Sequence, residues 1–395
     1  MSRVVMNITT SARWRKRPVG IVRVERGLLA SLYRHFGHDI VPLCLDRDNE
    51  KFGVVDWELV ERILADDWLN SPDPERDSDE VHGTLGDFAP SIDDRLITVG
   101  LDWSQTIPTK VGELYESRRN MIGFCHDLIP VTYPEYAPGA ESILRNHFLE
   151  MGKYARSMGA NSQSTKLELE DFWKRESLAG APPVIAVPLA AVQVPAELPP
   201  LDEYDKKKFD QTVKANPYVL YVSTVEARKN HQLLLHIWRQ LYRERGDKCP
   251  TLVLVGADGW CCHDVAHQIR HLNASRAERI VWLESVSESL LHHLYRNALF
   301  TVFPSLYEGW GLGASEALAH GKVCVVSSAG ALQEATSGIM PAYHPHDYPG
   351  WKKEIDRLLD DAAYREALEM RVAARSPLRS WKEFGDDFIA AFLTE

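Results

Sequence analysis

Two glutamates, Glu308 and Glu316, stand eight positions apart in residues 303–321, FPSLYEGWGLGASEALAHG. A carboxylate accepts two hydrogen bonds from neighbouring hydroxyls, which suits the diols of a sugar or a ribose. Around them run Gly309, Gly311 and Gly313, which let backbone amides approach a ligand closely. A strand is expected to end at Pro304 and a helix to start near Ala314, with Glu316 in its first turn. The N-terminus of that helix adds partial positive charge. The stretch thus joins an anion site suited to a diphosphate with carboxylates suited to hydroxyls. Glycine-rich turns often precede helices for purely structural reasons; two glutamates flanking such a turn, directly after a strand, are more specific.

The elements that must position these residues are short apolar, β-branched runs alternating with longer amphipathic stretches, the pattern of βαβ units and parallel sheets. Strands are expected at 4–8, 40–45, 96–101, 121–125 and 184–187, then at 218–223, 252–256, 280–283, 301–304 and 323–327. Between the halves, residues 187–217 hold Pro188, Pro195, Pro199, Pro200 and Pro217, which reads as a linker. The expected architecture is α/β: two Rossmann-like, doubly wound domains facing across a cleft, with ligands at the carboxyl ends of the strands. The division is 1–195 for a first domain, 196–216 for the linker and 217–375 for a second, followed by a C-terminal helix in 376–395.

The motif at 303–321 resembles that of the retaining glycosyltransferases of family 4, which have the GT-B fold; the resemblance implies that 1–195 binds the acceptor, 217–375 binds the nucleotide sugar and the helix in 376–395 crosses back to the first domain. Their E-x7-E signature stands here as Ser305, Glu308, Gly309, Trp310, Gly311, Leu312, Gly313, Ser315, Glu316 and Ala317. The resemblance implies that Glu308 holds hydroxyls of the donor sugar and Glu316 the ribose. Gly313 replaces the family's usual proline and is expected to loosen the turn. Residues 218–235, YVLYVSTVEARKNHQLLL, look like the family's strand–turn–helix with a basic pair at its bend. In that pattern Arg228 and Lys229 grip the donor diphosphate, with Ser223 and Thr224 as minor phosphate contacts. Cations at a helix start oppose its dipole and need a reason. Negative charge growing on a departing diphosphate supplies one.

In the first half, FCHDLIPVTYPEY at 124–136 is similar to the family's H-D-L-I-P segment. The resemblance puts His126 beside the reacting centre and offers Asp127 to the acceptor; Asp127 can equally cap the following turn. Residues 18–23, PVGIVR, resemble the loop-to-helix segment of the polysaccharide-assembly branch, with Gly20 near the phosphates and Arg23 toward the acceptor. Further weak matches are residues 252–260 and 285–305.

Charge and composition bound the partners. The 395 residues carry 45 basic and 56 acidic side chains, a net charge of −11, which argues against nucleic acid. The six cysteines are scattered like reduced thiols. No apolar run reaches membrane-helix length and no secretory signal is evident, so a cytoplasmic location is expected. Residues 3–34 hold eight basic side chains against Glu25, including Arg13, Arg15, Lys16 and Arg17 around Trp14. They form either a solvated face or a contact with an anionic membrane surface or diphosphate acceptor. Residues 66–94 hold ten acids and one arginine, a solvated insertion or a lid. Asp46 and Asp48 form a D-x-D, and Cys261, Cys262, His263 and His267 invite a zinc reading, but neither has convincing ligand spacing.

The expectation is a retaining hexosyltransferase needing neither metal nor cofactor, its nucleotide-diphosphate sugar being a substrate. GDP-mannose is the first choice of donor, with mannose or rhamnose as the sugar, and a glycan or polyprenyl-diphosphate-linked glycan is the acceptor. The alternatives are a non-catalytic GT-B glycan-binding scaffold and a GT-B epimerase or phosphorylase.

Overall fold

The computed structural model describes residues 3–14, 20–46, 51–65, 85–101, 103, 120–213, 217–275, 279–376 and 378–394. They separate into two compact units. One comprises residues up to Pro134, 138–189 and 379 onward; the other comprises 135–137 and 190–378.

The first unit is built on strands β1 (Val4–Asn7), β2 (Ile40–Asp46), β3 (Lys51–Val54), β4 (Gly86–Asp87), β5 (Arg95–Thr98), β6 (Met121–Cys125), β7 (Ala155–Ala160) and β8 (Val184–Ala186). They lie in the order β4-β3-β2-β1-β5-β6-β7-β8. The run from β2 to β8 is parallel, while β3 and β4 pair antiparallel at one edge. Strands β3, β4 and β7 were not expected. Strand β7, ARSMGA, has no β-branched residue, and β3 and β4 are short antiparallel strands with β4 at the edge. The parallel strands reverse their winding between β1 and β5, where the Asn7 amide donates to Thr98 Oγ1 at 3.0 Å.

The helix Trp381–Phe392 belongs to this unit. Ser380 and Glu383 form a reciprocal capping box at its start, and Phe384, Phe388 and Ile389 are buried. It packs on the helix Gly20–Phe36, where Ser31 Oγ donates to the Trp381 carbonyl at 3.2 Å. Arg95 adds a bond of 2.6 Å to the Leu393 carbonyl.

The second unit holds β9 (Tyr218–Val222), β10 (Thr251–Val255), β11 (Ile280–Leu283), β12 (Thr301–Phe303), β13 (Cys324–Ser327) and β14 (Ala342–Tyr343). The order is β11-β10-β9-β12-β13-β14, all parallel. Its strands are nearly continuous apolar runs because helices cover both faces, and Tyr218, Trp238, Phe300 and Trp351 fill its core. Residues 196–216 are not plain linker: they contain the helix Glu203–Val213. That helix opens on Asp202, whose carboxylate accepts from the Asp205 amide at 2.7 Å.

Two charged segments are more structured at their ends than composition implies. Asp94 is buried and clasps Arg3 through bonds of 2.8 and 2.7 Å. Arg13 turns inward to the Leu45 carbonyl. Arg15, Lys16, Arg17, Asp48 and residues 66–84 lie outside the described residues. Among the described residues no helix is long and apolar enough to cross a membrane.

Candidate active site

In the second sheet the winding reverses between β9 and β12. Ligands of open parallel sheets bind outside the carboxyl ends of the strands at such a point. Two loops leave the sheet there. Strand β9 runs through half-buried Ser223 and exposed Thr224 into a single 3-10 turn, Ala227–Lys229. Strand β12 runs through Pro304 and Ser305 into the turn bearing Glu308. The loops are hydrogen-bonded to each other: the Leu306 amide donates to the Arg228 carbonyl at 2.8 Å. The Asn230 side chain donates to the Pro304 carbonyl at 3.0 Å.

This crossing brings the motif residues of both loops together. Arg228 Nη1 lies 2.6 Å from Glu308 Oε2, and Lys229 Nζ lies 2.5 Å from Glu308 Oε1. Arg228 also donates to the Tyr307 carbonyl at 3.0 Å and reaches Glu226 Oε1 at 3.3 Å. All four charged side chains are at most 16% exposed. Burial alone would raise the Glu308 pKa, but the charges of Arg228 and Lys229 outweigh it and hold the carboxyl down to about 2. Burial and the Arg228 charge press the Lys229 ammonium below its ordinary value, with Glu308 and Glu226 opposing them. The two cations beside a helix start therefore have a local counter-charge.

Two glycines hold this geometry in place. Gly330 has a φ of +63°, and a Cβ there would lie 2.2 Å from the Glu308 carbonyl oxygen. The adjacent Ala331 amide donates to that same carbonyl at 2.9 Å. A Cβ on Gly313 would lie 2.6 Å from the Phe303 ring and 3.1 Å from the Val222 carbonyl. Gly313 thus draws the helix start tightly onto β9 and β12 rather than loosening the turn. Gly309 and Trp310 are buried, while Gly311, Leu312 and Gly313 are half-buried.

The helix spans Leu312–Ala319. It begins two residues before the expected start, so Glu316 lies in its second turn rather than its first. Glu316 is buried, and its Oε2 accepts a bond from the Tyr295 hydroxyl at 3.1 Å. Behind Ser223, His231 is buried with Nε2 3.4 Å from the Ser223 hydroxyl. Burial and the nearby Lys229 charge lower its pKa to about 3.

In the first unit, Gly20 opens the helix Gly20–Phe36 and Arg23 sits half-buried in its first turn. His126 follows β6 at the carboxyl edge of the sheet, with Nε2 2.8 Å from the Val99 carbonyl. A carbonyl only accepts, so Nε2 carries the proton. Burial lowers the ring's pKa to about 4, which keeps it neutral near pH 7. Asp127 Oδ1 accepts from the Ile129 amide at 3.1 Å just ahead of the helix Ile129–Thr132, whose N-cap is Leu128. The Asn161 side chain, absent from the motif reading, donates to the His126 carbonyl at 2.6 Å.

The candidates set aside for metal are separated. Cys261 is exposed, whereas Cys262 is buried with its thiol on the Val225 carbonyl at 2.8 Å. Among the described residues no group of three or more His, Cys, Asp or Glu side chains is placed to hold a metal.

Sequence reasoning missed Glu226, Gly330, Tyr295 and Asn161. Glu226 stands two residues before Arg228 and was visible as a charge. Gly330 and Asn161 act through chain crossings that no local pattern encodes. Tyr295 reads as one more apolar position of its helix.

Two such open, largely parallel, doubly wound sheets are the architecture of the GT-B fold. The chain superposes on the UDP-forming α,α-trehalose-phosphate synthase of Burkholderia vietnamiensis with a TM-score of 0.64 at 15% identity, covering 99% of this chain and 96% of that one. Residues 216–361 match the glycosyl transferases group 1 family. O-antigen chain mannosyltransferase B of Escherichia coli is 30% identical over 279 residues, 68% of each chain. The serotype-specific mannosyltransferase WbdA of Escherichia coli is 24% identical over 259 residues, 65% of this chain but 31% of that longer one. The chain belongs to the group 1 glycosyltransferases.

Proposed function

We propose that the chain is a retaining family 4 hexosyltransferase that moves mannose from GDP-mannose to a glycan or polyprenyl-diphosphate-linked glycan in surface polysaccharide synthesis. The observation that carries this reading is the bracketing of Glu308 by Arg228 and Lys229 at the point where the second sheet reverses its winding. The mannosyltransferase relatives support the choice of sugar.

In the proposed reaction the bond between the anomeric carbon and the diphosphate oxygen breaks, and a bond to the acceptor oxygen forms on the same face. The acceptor's proton passes to the departing phosphate oxygen, so no protein nucleophile is required. Arg228 and Lys229 stabilise the charge gathering on the diphosphate. Glu308 accepts from sugar hydroxyls and Glu316 from the ribose. Ser223, Thr224 and the amides of the Gly309–Gly313 turn complete the donor site. His126, whose Nδ1 is an acceptor in this tautomer, with Gly20 and Arg23, we assign to the first unit's share of the chemistry. Acceptors on a membrane-bound lipid would bring the chain to the inner face of the plasma membrane.

The test is transfer from GDP-mannose to a synthetic polyprenyl-diphosphate oligosaccharide, with the product's anomeric configuration read by NMR, with and without EDTA. An α-mannoside formed equally in both conditions is expected. A β-mannoside would overturn retention, loss of turnover in EDTA would overturn metal independence, and turnover with another nucleotide sugar alone would overturn the donor.

A further inference from the structure

We infer that Tyr295 is a positioning residue for the nucleotide, fixing the orientation in which the Glu316 carboxylate meets the ribose. The inference rests on the assignment of Glu316 to the ribose made above.

Tyr295 lies in the helix Glu288–Asn297, at 1% exposure. Its hydroxyl proton is shared between Glu316 Oε2 at 3.1 Å and the Gly313 carbonyl at 3.2 Å. Both acceptors belong to the helix that carries the second motif glutamate. An ionised acceptor makes the stronger bond, so the carboxylate is held at Oε2. A glutamate has three side-chain torsions to fix, whereas a tyrosine ring has two and is here locked by stacking. The ring of His320 lies parallel to it, with centroids 4.7 Å apart and an interplanar angle of 17°.

The same histidine holds Glu316 from its other end. His320 Nδ1 donates to the Glu316 carbonyl at 2.8 Å, and its Nε2 lies 2.8 Å from His292 Nδ1. A carbonyl cannot donate, so His320 carries its proton on Nδ1 and accepts from His292 at Nε2. The neutral form this requires agrees with the pKa of His320, which burial lowers. One stacked pair of rings therefore ties both the backbone and the carboxylate of Glu316. A phenylalanine at 295 would keep the ring's packing in the core but lose both hydroxyl bonds.

The experiment separates positioning from structure by asking about the ribose directly. GDP, UDP and ADP are titrated into the full chain by calorimetry. The tightest binder and its 2′,3′-dideoxy form are then compared in wild type, Tyr295→Phe and Glu316→Gln. Wild type is expected to favour the ribose form. Tyr295→Phe is expected to lose roughly tenfold in affinity for that form, the size of a lost hydrogen bond to a charged group, with the dideoxy affinity unchanged. Equal weakening of both forms, or unchanged discrimination, overturns the inference. If Glu316→Gln discriminates as well as wild type, or wild type does not discriminate, the ribose assignment itself has failed and the inference falls with it. If calorimetric unfolding shows that Tyr295→Phe is not folded, His320→Phe keeps a ring under the tyrosine and drops the bond to the Glu316 carbonyl. It should lower discrimination in the same direction, and full discrimination in that variant would also overturn the inference.

Discussion

The carboxyl edges of the two sheets handle polar groups in opposite ways. In the second unit the candidate side chains hold one another: Arg228 and Lys229 hold Glu308, and Tyr295 holds Glu316. In the first unit they hold the main chain. His126 is bonded to the Val99 carbonyl, Asn161 to the His126 carbonyl, Asp127 to the Ile129 amide and Glu25 to the Ser11 amide. Side chains that satisfy each other can exchange a partner for a ligand of the same charge, as a diphosphate is for the two cations. Side chains bound to the backbone are fixed in direction. The second unit's arrangement suits charge that develops during a reaction; the first unit's suits neutral hydroxyls that must be oriented.

The largest effect that would break this comparison is at Glu308. Glu308→Ala leaves two buried cations without their shared counter-charge, and removing one partner of a buried pair costs about 3–5 kcal/mol. Urea unfolding should show that loss together with abolished transfer. A variant as stable as wild type would mean the cluster is solvated rather than buried.

The next effect is acid lability. Burial lowers His126, His147 and His231 from 6.5 to about 4, 4 and 3. As pH falls below 6.5 the unfolded chain takes up these protons first, so stability drops until the folded values are reached. Each group contributes about 1.4 kcal/mol per pH unit inside its window. Glu308 has the same sense but a lower window: its contribution is full above 4.5 and is lost only as pH falls toward 2. A urea midpoint that declines from pH 6.5 to 4.5, and declines less in His147→Phe, is expected. A flat profile over that range would show the histidines to be accessible to protons.

The smallest effect is at Asp127. If it is a cap, Asp127→Ala costs about 1 kcal/mol and Asp127→Asn little, with acceptor affinity unchanged in both. A fall in acceptor affinity with unchanged stability would instead make it a binding residue.

Much of this contrast was legible in residue order. The E-x7-E stretch and the Arg228–Lys229 pair stand on loops that the strand pattern places at neighbouring strand ends, because parallel strands buried on both faces announce themselves as apolar runs. The ion pairs themselves were not legible: Arg228 and Glu308 were assigned to different parts of a ligand, and the structure joins them to each other. Gly330 was missed because its requirement arises from the backbone of Glu308 passing beside it. Strand β7 was missed because Gly159 and Ala160 earn their place by fit against β6 rather than by β propensity. The two extra helical residues before Glu316 reflect a helix starting at Leu312, which the three glycines obscured.

The most direct measurement is calorimetric titration of the nucleoside diphosphates GDP, UDP and ADP into wild type and into Arg228→Ala and Lys229→Ala, beside the corresponding nucleosides. One diphosphate is expected to bind wild type, and each substitution should weaken it by roughly 30-fold or more, as loss of a charge-stabilising donor of ~2–4 kcal/mol implies, without altering nucleoside binding. Diphosphate affinity unchanged in both variants would contradict the claim that this charged crossing is where the donor's leaving group is held.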